Sequence, residues 1–480
     1  MSENRFRRRG RSIVLLVALS SSVLAGCAGQ PGTSGDHVTI TIEGPNQWND
    51  SGSSFGEAWD ALVAKFEELE PDITVNTTVL PISSFNETIS TQLSAGTAPE
   101  LVFSQASYKP YMVTNLDDYL KEPNPYIEGN TQWIDAFDST YVGFDVASSL
   151  NDDGHISKLP FNLLAAGVLY NEDIFDEVGI TTPIETFSDL LTSCTKLKAA
   201  GYTPFAMDNG NFGMNETVNA IGNQLIGALY DDLNYYDTAG EPGSSTQLTT
   251  KDWSRAILSG ELTTSTPEVA ETLVLLKQFF DECATENWSG ISSTSGAVVN
   301  LKDFSTGEAA MTWGTDYASS ALGSVDFEYA SMAFPQVTSA STDLATGIEP
   351  QRGASTGGTT YMIPSTIEGD QLSAAVKFLQ FMSSPYIQDW LDATGAIPAV
   401  TVASAPEQSA GMLEGSWGEP RIISGVPAAP AGSTTVSLYD GYLLGTKSLS
   451  DEQSHLEDMW VTQSQALVSA NGWESESWAQ

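Results

Sequence analysis

The chain has 480 residues, 41% of them apolar, which is enough for two globular domains with separate cores. It carries 61 acidic and 19 basic residues, a formal net charge of −42. This charge excludes nucleic acid and anionic membrane surfaces as partners, because binding these polyanions requires clustered Lys and Arg. After the N-terminus, the sequence contains no apolar stretch long enough for a transmembrane helix.

The N-terminal segment has the layout of an export signal. Five arginines between positions 5 and 11 precede an apolar run, 13–25, that is too short for a stable membrane-spanning helix. The run ends in Leu24-Ala25-Gly26-Cys27, which resembles the lipobox of bacterial lipoproteins. The resemblance implies cleavage before Cys27, a diacylglyceryl group on its sulfur and anchoring to the outer face of the cell membrane. An ordinary secretory signal with a chance cysteine is the alternative.

A tether rich in Gly, Ser and Thr follows the signal, and the patterns after it alternate between strands and helices. The predicted elements are strands at 38–42, 73–79 and 101–103, helices at 55–69 and 84–95, and a loop at 43–54. Ser84 and Glu87 have the spacing of a capping box at the start of the second helix. This alternation implies crossover units and a largely parallel sheet, so the predicted class is α/β.

Longer helices and polar loops fill the second half of the chain. Helices are predicted at about 187–199, from 267 onward, around 372–379 and around 456–467, with loops rich in Gly, Ser, Thr and Asn at 237–250 and 338–358. Cys194 shares a helical face with Leu190 and Leu197, which favours a buried thiol. A disulfide with Cys283 is the alternative in an oxidising compartment.

Four segments in order along the chain carry a family resemblance. They are 59–101, with its Ser-Ala-Gly-Thr-Ala-Pro-Glu run, 159–205, 304–314 and 357–398. Together they resemble the extracellular solute-binding proteins of family 1, which serve carbohydrate ABC importers. The chain departs from the family pattern at Glu100, where Asp is commoner, and at Thr186-Phe187, where the family usually has Thr-Trp.

The resemblance implies a two-lobed periplasmic-binding-protein-like fold of type II, with ligand held in the cleft between the lobes. The implied divisions are a signal peptide at 1–26, a tether at 27–36, lobe 1 at 37–160 and 362–395, lobe 2 at 165–357 and 396–480, and a hinge near 160–164, 358–364 and 395–398. Gly357 and Gly358 fit the hinge, since glycine tolerates unusual dihedral angles, and a tight turn is the alternative.

Sugar binding needs large aromatic rings that stack on apolar C–H faces and planar polar groups that bond hydroxyls. In α/β sheets such residues are expected in loops that follow strands. The predicted ligand-binding residues are Asn46, Gln47, Trp48, Gln105, Asn162, Asn209, Phe212, Trp313, Asp316, Tyr317, Gly358 and Trp417.

Several of these residues have assigned roles and alternatives. Trp48 is expected to stack on ligand, with a surface or core role as the alternative. Asp316 is expected to accept hydrogen bonds from sugar hydroxyls, while Trp313 or Tyr317 stacks, and burial behind the strand is the alternative for Trp313. Trp417 is expected to cover the cleft from a flexible loop, and Arg352 is an alternative cleft cation.

Enzyme motifs are lacking in the sequence. The three histidines lie far apart without metal-ligand spacing, and neither a Gly-x-Ser-x-Gly elbow nor a phosphate-binding loop occurs. The leading interpretation is therefore a monomeric importer receptor without cofactor or metal, whose partners are an oligosaccharide, an ABC permease and, through lipid, the membrane. An exported carbohydrate-active hydrolase and a glycan-sensing lipoprotein without transport are the alternatives.

Overall fold

The computed structural model describes residues 37–45, 54–81, 84–104, 108–293, 296–323, 325–423 and 436–479. Val38–Gln480 forms one compact unit, to which the following description applies. The predicted signal, the lipidation site Cys27 and the tether lie outside the described residues.

Eleven strands occur in the described residues. They are β1 (Val38–Pro45), β2 (Ile73–Leu80), β3 (Leu101–Phe103), β4 (Lys158–Pro160), β5 (Asn162–Leu163), β6 (Ala166–Asn171), β7 (Thr203–Ala206), β8 (Ala309–Thr315), β9 (Tyr329–Met332), β10 (Thr360–Met362) and β11 (Ile397–Pro398). They form a five-stranded sheet, β2-β1-β3-β10-β4, a four-stranded sheet, β7-β8-β6-β9, and the pair β5–β11. Each larger sheet is the centre of one lobe.

The two larger sheets differ in strand direction. In the first, β1 is parallel to β2 and β3, while β10 is antiparallel to β3 and β4. In the second, β7 and β8 are parallel, but β6 is antiparallel to both β8 and β9. The α/β class is confirmed, whereas the prediction of a largely parallel sheet is wrong for the second lobe. Periodicity in a single strand contains no information on the direction of its neighbour.

The α-helices pack on these sheets. In the first half of the chain they are α1 (Glu57–Leu69), α2 (Phe85–Ala95), α3 (Asp117–Leu120), α4 (Glu172–Val178), α5 (Phe187–Ala200), α6 (Asn211–Ile226) and α7 (Tyr230–Leu233). In the second half they are α8 (Thr250–Leu258), α9 (Pro267–Glu282), α10 (Leu301–Ser305), α11 (Ala318–Leu322), α12 (Gly369–Met382), α13 (Gln388–Thr394), α14 (Glu407–Ala410), α15 (Val436–Leu443) and α16 (Leu449–Asn471).

The predicted capping box of α2 is absent. Ser84 precedes the helix, but its hydroxyl donates to the carbonyl of Pro81 instead of accepting from the first turn. The described residues contain reciprocal capping boxes at Thr249–Asp252 and Ser448–Asp451. The spacing alone does not ensure a cap, because the backbone of Ser84, with ψ of 0°, lies outside the extended region usual for an N-cap residue.

Each lobe has its own aromatic core. Trp59 and Phe66 of α1 pack against Phe378 of α12 in the first lobe, as the apolar stripe of α1 predicts. In the second lobe, Cys194 of α5 and Cys283 at the end of α9 form a disulfide. The preferred prediction of a free thiol is therefore wrong, because residues 89 positions apart in sequence meet only through the packing of α5 on α9.

The chain passes between the larger sheets at three places in the described residues. We call these stretches, 160–165, 355–360 and 395–398, the crossing segments. β5 pairs with β11, so the first and third segments are hydrogen-bonded to each other. A bridge between Leu164 and Ser355 joins the first segment to the second. No helix in the described part of the chain is long and apolar enough to cross a membrane.

Candidate functional site

Both large sheets present one edge to the crossing segments. The carboxyl ends of β1 and β3 lie at the same edge of the first sheet as Thr360, which begins β10, and the Ser104 amide donates to the Thr360 carbonyl at 2.9 Å. In the second sheet, Thr315 at the end of β8 pairs with Ala166 at the start of β6. Loops from both lobes therefore converge near the crossing segments.

Asn162 is a hydrogen-bonding hub within this region and is fully buried. Its Oδ1 accepts from the Thr359 amide at 2.7 Å, and its Nδ2 donates to Asp316 Oδ2 at 3.0 Å. Nδ2 also donates to the Leu163 carbonyl at 2.8 Å. One side chain thereby joins the first crossing segment to the second and to the end of β8.

Asp316 completes this arrangement from the second lobe. Its Oδ1 accepts from the Ala165 amide at 3.1 Å, and its own amide donates to the Ala165 carbonyl at 3.3 Å. Burial of the side chain raises the pKa of Asp316 to about 7, and the bonds from Ala165 and Asn162 only partly oppose this effect. The structure therefore places Asp316 inside the protein, and its expected contact with sugar hydroxyls stays a prediction.

Tyr317 follows Asp316 and lies beside the same hub. Its hydroxyl forms side-chain hydrogen bonds with Thr359 and Asn162. Burial raises the pKa of the Tyr317 phenol, and the neighbouring Asp316 carboxylate raises it further. Tyr317 is thus a neutral hydrogen-bonding group at physiological pH, and part of its surface remains accessible.

Gly358 is required by close packing. A Cβ atom at this position would lie 2.4 Å from the Asn162 carbonyl oxygen, well inside contact distance. At Gly357 the corresponding atom would lie 3.2 Å from the flexible Ser355 hydroxyl. The second crossing segment can therefore approach the first only because position 358 lacks a side chain. We call Asn162, Asp316, Tyr317, Gly358 and Thr359 the crossing cluster.

Arg352 does not lie free in a cleft. Its Nη2 donates to Glu216 Oε1 at 3.1 Å, and Arg421 Nη2 donates to Glu216 Oε2 at 2.8 Å. Burial would raise the pKa of Glu216, but the two guanidinium groups outweigh burial and hold it below its ordinary value. The alternative role of Arg352 as a ligand-facing cation is therefore corrected, because Glu216 already occupies it. We call these three residues the guanidinium cluster.

The predicted ligand-facing roles of Trp313 and Trp417 are also corrected. Both indoles are buried in the second lobe, with ring centroids 6.2 Å apart. Trp313 donates to the Thr217 hydroxyl at 2.8 Å, and Trp417 donates to the Ala166 carbonyl at 2.9 Å. Neither ring has a free face for stacking, so the alternative of burial behind the strand describes Trp313.

The remaining predicted residues fall into two groups. Asn209 is exposed and Phe212 half-buried at the start of α6, close to the carboxyl end of β7, which is parallel to β8. Four others lie outside the described residues, directly after Pro45 or Ser104 in sequence: Asn46, Gln47, Trp48 and Gln105.

Sequence reasoning missed two residues whose hydrogen bonds join distant parts of the chain. Thr359 acts through its backbone amide, which no residue pattern reveals. Tyr141, from the first lobe, donates its hydroxyl to the Gly418 carbonyl at 3.3 Å, across 277 positions of sequence. The described residues contain no group of three or more His, Cys, Asp or Glu side chains arranged to hold a metal ion.

Comparison with known proteins gives sequence relatives over part of the chain. The chain is 29% identical over 219 residues to an uncharacterized ABC transporter extracellular-binding protein of Pyrococcus horikoshii, a match covering 42% of this chain and 46% of the relative. The match thus spans about half the length of this curated relative.

Solved structures share the fold over most of the chain. Apo RafE from Streptococcus pneumoniae matches with a TM-score of 0.60 and 18% identity, over 90% of this chain and 100% of RafE. A complex of RafE with raffinose matches with a TM-score of 0.57 and 19% identity, over 89% and 99%. A probable secreted solute-binding lipoprotein from Streptomyces coelicolor matches with a TM-score of 0.61 and 17% identity, over 88% and 98%.

These likenesses establish the two-lobed α/β fold, and a family profile identifies its class. The profile of bacterial extracellular solute-binding proteins matches residues 49–389, more than half of the chain. The chain therefore belongs to the bacterial extracellular solute-binding protein family.

Proposed function

We propose that this protein captures a carbohydrate between its two lobes and delivers it to the transmembrane subunits of an ABC importer. The observation that carries the proposal is the fold shared with RafE, a protein seen in complex with raffinose. The family match supports a binding protein rather than the alternative of an exported hydrolase.

Capture would follow from a shift in population between arrangements of the lobes. A solute that contacts both sheet edges stabilises the arrangement in which the edges approach each other, by its difference in affinity for the two states. The three crossing segments are the natural hinge, because they link the lobes by short strands and bridges. The permease would then recognise the closed form.

We assign ligand contact to side chains that follow the strands on either side of the crossing. On the first lobe these are Asn46, Gln47, Trp48 and Gln105, and on the second lobe Asn209, Phe212 and Tyr317. This set combines aromatic faces with amides, the chemistry that a sugar ring requires. The other members of the crossing cluster would position the lobes.

The charges favour an uncharged oligosaccharide. Beyond residue 26 the sequence has three arginines, and all three are paired: Arg352 and Arg421 with Glu216, and Arg255 with Glu261 at 2.7 Å. A uronic acid carboxylate would enter a strongly acidic protein whose described guanidinium groups already have a partner. A neutral sugar meets no such obstacle.

The lipobox-like sequence completes the proposal. Without residues 1–26, which carry five Arg and one Glu, the net charge becomes −46, so a lipid anchor rather than a basic surface would hold the protein at the membrane. A diacyl group on Cys27 supplies the two chains that durable attachment requires. The disulfide between Cys194 and Cys283 is consistent with an oxidising compartment outside the cytoplasm.

Isothermal titration calorimetry with raffinose, maltotriose and xylotriose, beside the acidic trisaccharide trigalacturonate, tests the proposal. Chromatography of the same mixtures detects any cleavage products. Binding of a neutral trisaccharide without products supports the proposed function. Turnover would favour the hydrolase alternative, and tight binding of trigalacturonate would contradict the neutral ligand class.

A further inference from the structure

A surface cavity of the first lobe lies away from the crossing segments. Its volume is about 320 Å³, and its walls are the C-terminal end of α2, the turn at 110–112 and the segment 364–366 that follows β10. α2 ends before β3 begins, and β10 is antiparallel to β3, so these walls meet at the edge of the first sheet opposite Ser104 and Thr360. The cavity is therefore separate from the edge to which we assign ligand contact. We call it the Tyr111 cavity.

The ring of Tyr111 lines this cavity and is 73% exposed, the highest value for a large apolar side chain among the described residues. The backbone that carries the ring is held in place. The Ser365 hydroxyl donates to the Tyr111 carbonyl at 2.9 Å, and the Ser365 amide donates to the Met112 carbonyl at 2.9 Å. A ligand that covers the ring would therefore bury apolar surface at little cost in ordering the backbone.

Polar groups without a protein partner belong to the same walls. Ser94 and Ala95 line the cavity at the end of α2, and no amide in the described residues donates to their carbonyl groups, because the amides that follow the helix bond earlier carbonyl groups. The hydroxyl groups of Tyr111 and Thr366 likewise form no hydrogen bond within the described part of the chain. The walls thus offer two carbonyl acceptors and two hydroxyl groups that can both donate and accept.

The chemistry of the walls restricts the class of ligand. No residue that lines the Tyr111 cavity carries a charge, so an ionic ligand would find no counter-charge there. A wholly apolar ligand would cover the carbonyl groups of Ser94 and Ala95 without bonding them, which is costly. A sugar ring has apolar C–H faces for the tyrosine and hydroxyl groups for the carbonyl acceptors. The walls therefore favour a neutral saccharide.

We propose that the Tyr111 cavity is a second carbohydrate-binding site, which takes the end of a neutral saccharide against Tyr111. Its volume of about 320 Å³ lies at the lower limit of the range of about 300–1,000 Å³ for small-molecule sites, so it suits one end of a glycan. Binding by one lobe through one aromatic ring is weak, with a dissociation constant on the order of 1 mM. The site goes beyond the proposed function, since it requires neither closure of the lobes nor the residues assigned to the opposite sheet edge.

Saturation-transfer difference NMR with millimolar maltose and cellobiose tests the proposal on the purified protein. The dependence of the transfer on sugar concentration gives the dissociation constant. Tyr111→Ala should weaken binding roughly tenfold, whereas Tyr111→Phe keeps the ring and should bind within about twofold of the unmodified protein. Because the side chain is exposed, neither variant should change the unfolding temperature.

Tyr235→Ala is the matched control, because Tyr235 is 51% exposed on the second lobe, where its ring lies 3.7 Å from the Arg255 guanidinium. This control and Trp48→Ala should both retain the millimolar binding. Millimolar binding that is unchanged in Tyr111→Ala, or an unmodified protein that shows no transfer to either disaccharide, would overturn the proposal. Weak binding that depends on Trp48 instead would also overturn it. Failure of the trisaccharides to bind in calorimetry would be a separate result, which contradicts the proposed function alone.

Discussion

The guanidinium cluster and the crossing cluster are both buried and each contains a carboxylate, but they stabilise that carboxylate differently. Glu216 is held between two cationic groups, which keep its pKa low in spite of burial. Among the described residues, Asp316 receives hydrogen bonds from neutral N–H groups, and burial raises its pKa to about 7. Neutral N–H donors fill the hydrogen-bonding positions of a carboxylate, but they do not supply the positive charge that would compensate for its burial. The two carboxylates therefore differ in the direction of their pKa shift, since the pKa is lowered in Glu216 and raised in Asp316.

The largest effect is expected from breaking the guanidinium cluster. Glu216→Ala leaves two buried guanidinium groups without a counter-charge and should lower the free energy of unfolding by about 3–5 kcal/mol. Urea denaturation at pH 7 measures this change. Glu68→Gln is the control, since its partner Lys65 is exposed and such pairs contribute about 0–1 kcal/mol. Equal effects for the two variants would show that Glu216 is not a structural centre.

The contributions of Glu216 and Asp316 to folding stability should change in different pH ranges and in opposite directions. The pKa of Glu216 is lowered in the folded state, so its contribution is present above its ordinary value near 4.5 and is lost as pH falls below it. The pKa of Asp316 is raised, so the folded state binds its proton more tightly from about pH 4 to 7. Stability from Asp316 therefore decreases as pH rises through that window.

Asp316→Asn isolates the second of these effects. Relative to the unmodified protein, the variant should gain about 2.7 kcal/mol of unfolding free energy at pH 8 compared with pH 5, because about two pKa units of the shift lie between pH 5 and the folded-state pKa of about 7. Urea denaturation at both pH values gives this difference. A variant whose loss of stability is the same at pH 5 and pH 8 would indicate that Asp316 is ionised throughout.

Packing in the crossing cluster is tested at two adjacent glycines. Gly358→Ala places a Cβ atom 2.4 Å from the Asn162 carbonyl and should cost about 1–3 kcal/mol, because backbone must move. Gly357→Ala meets the movable Ser355 hydroxyl at 3.2 Å and the Leu164 side chain at an ordinary contact distance of 3.7 Å, so it should change stability by less. Thermal unfolding of both variants measures the difference. If Gly357→Ala proves the more damaging, the close approach at position 358 is not a constraint on the crossing.

The smallest effect distinguishes ligand contact from positioning. Trp48→Ala should weaken binding of a neutral oligosaccharide roughly tenfold by loss of stacking, with the unfolding temperature unchanged. Trp478→Ala is the control, since this partly buried indole donates to the Tyr236 hydroxyl at 2.9 Å, away from the crossing segments. Calorimetry reports the affinities. Equal affinities for the two variants would remove Trp48 from the site.

Sequence periodicity predicted much of the first lobe, because the apolar faces of α1 and α2 are set by residues a few positions apart. Residue chemistry also pointed to Asn162, Asp316, Tyr317 and Gly358, which the structure brings together. The sequence predicted the roles of these residues less well, because the exposure of a polar side chain depends on segments that lie far away in sequence. The partner of Arg352 lies 136 positions away, and the disulfide spans 89. Trp313 and Trp417 were misassigned for the same reason, since their rings stack on each other and Trp313 also stacks on Phe334.

Small-angle scattering at pH 6, with and without a saturating concentration of the neutral trisaccharide that binds most tightly in calorimetry, tests whether the two lobes close on the sugar. Capture between two lobes predicts a smaller radius of gyration with the trisaccharide bound than without it. Binding that leaves the radius of gyration unchanged would contradict capture by closure about the crossing segments.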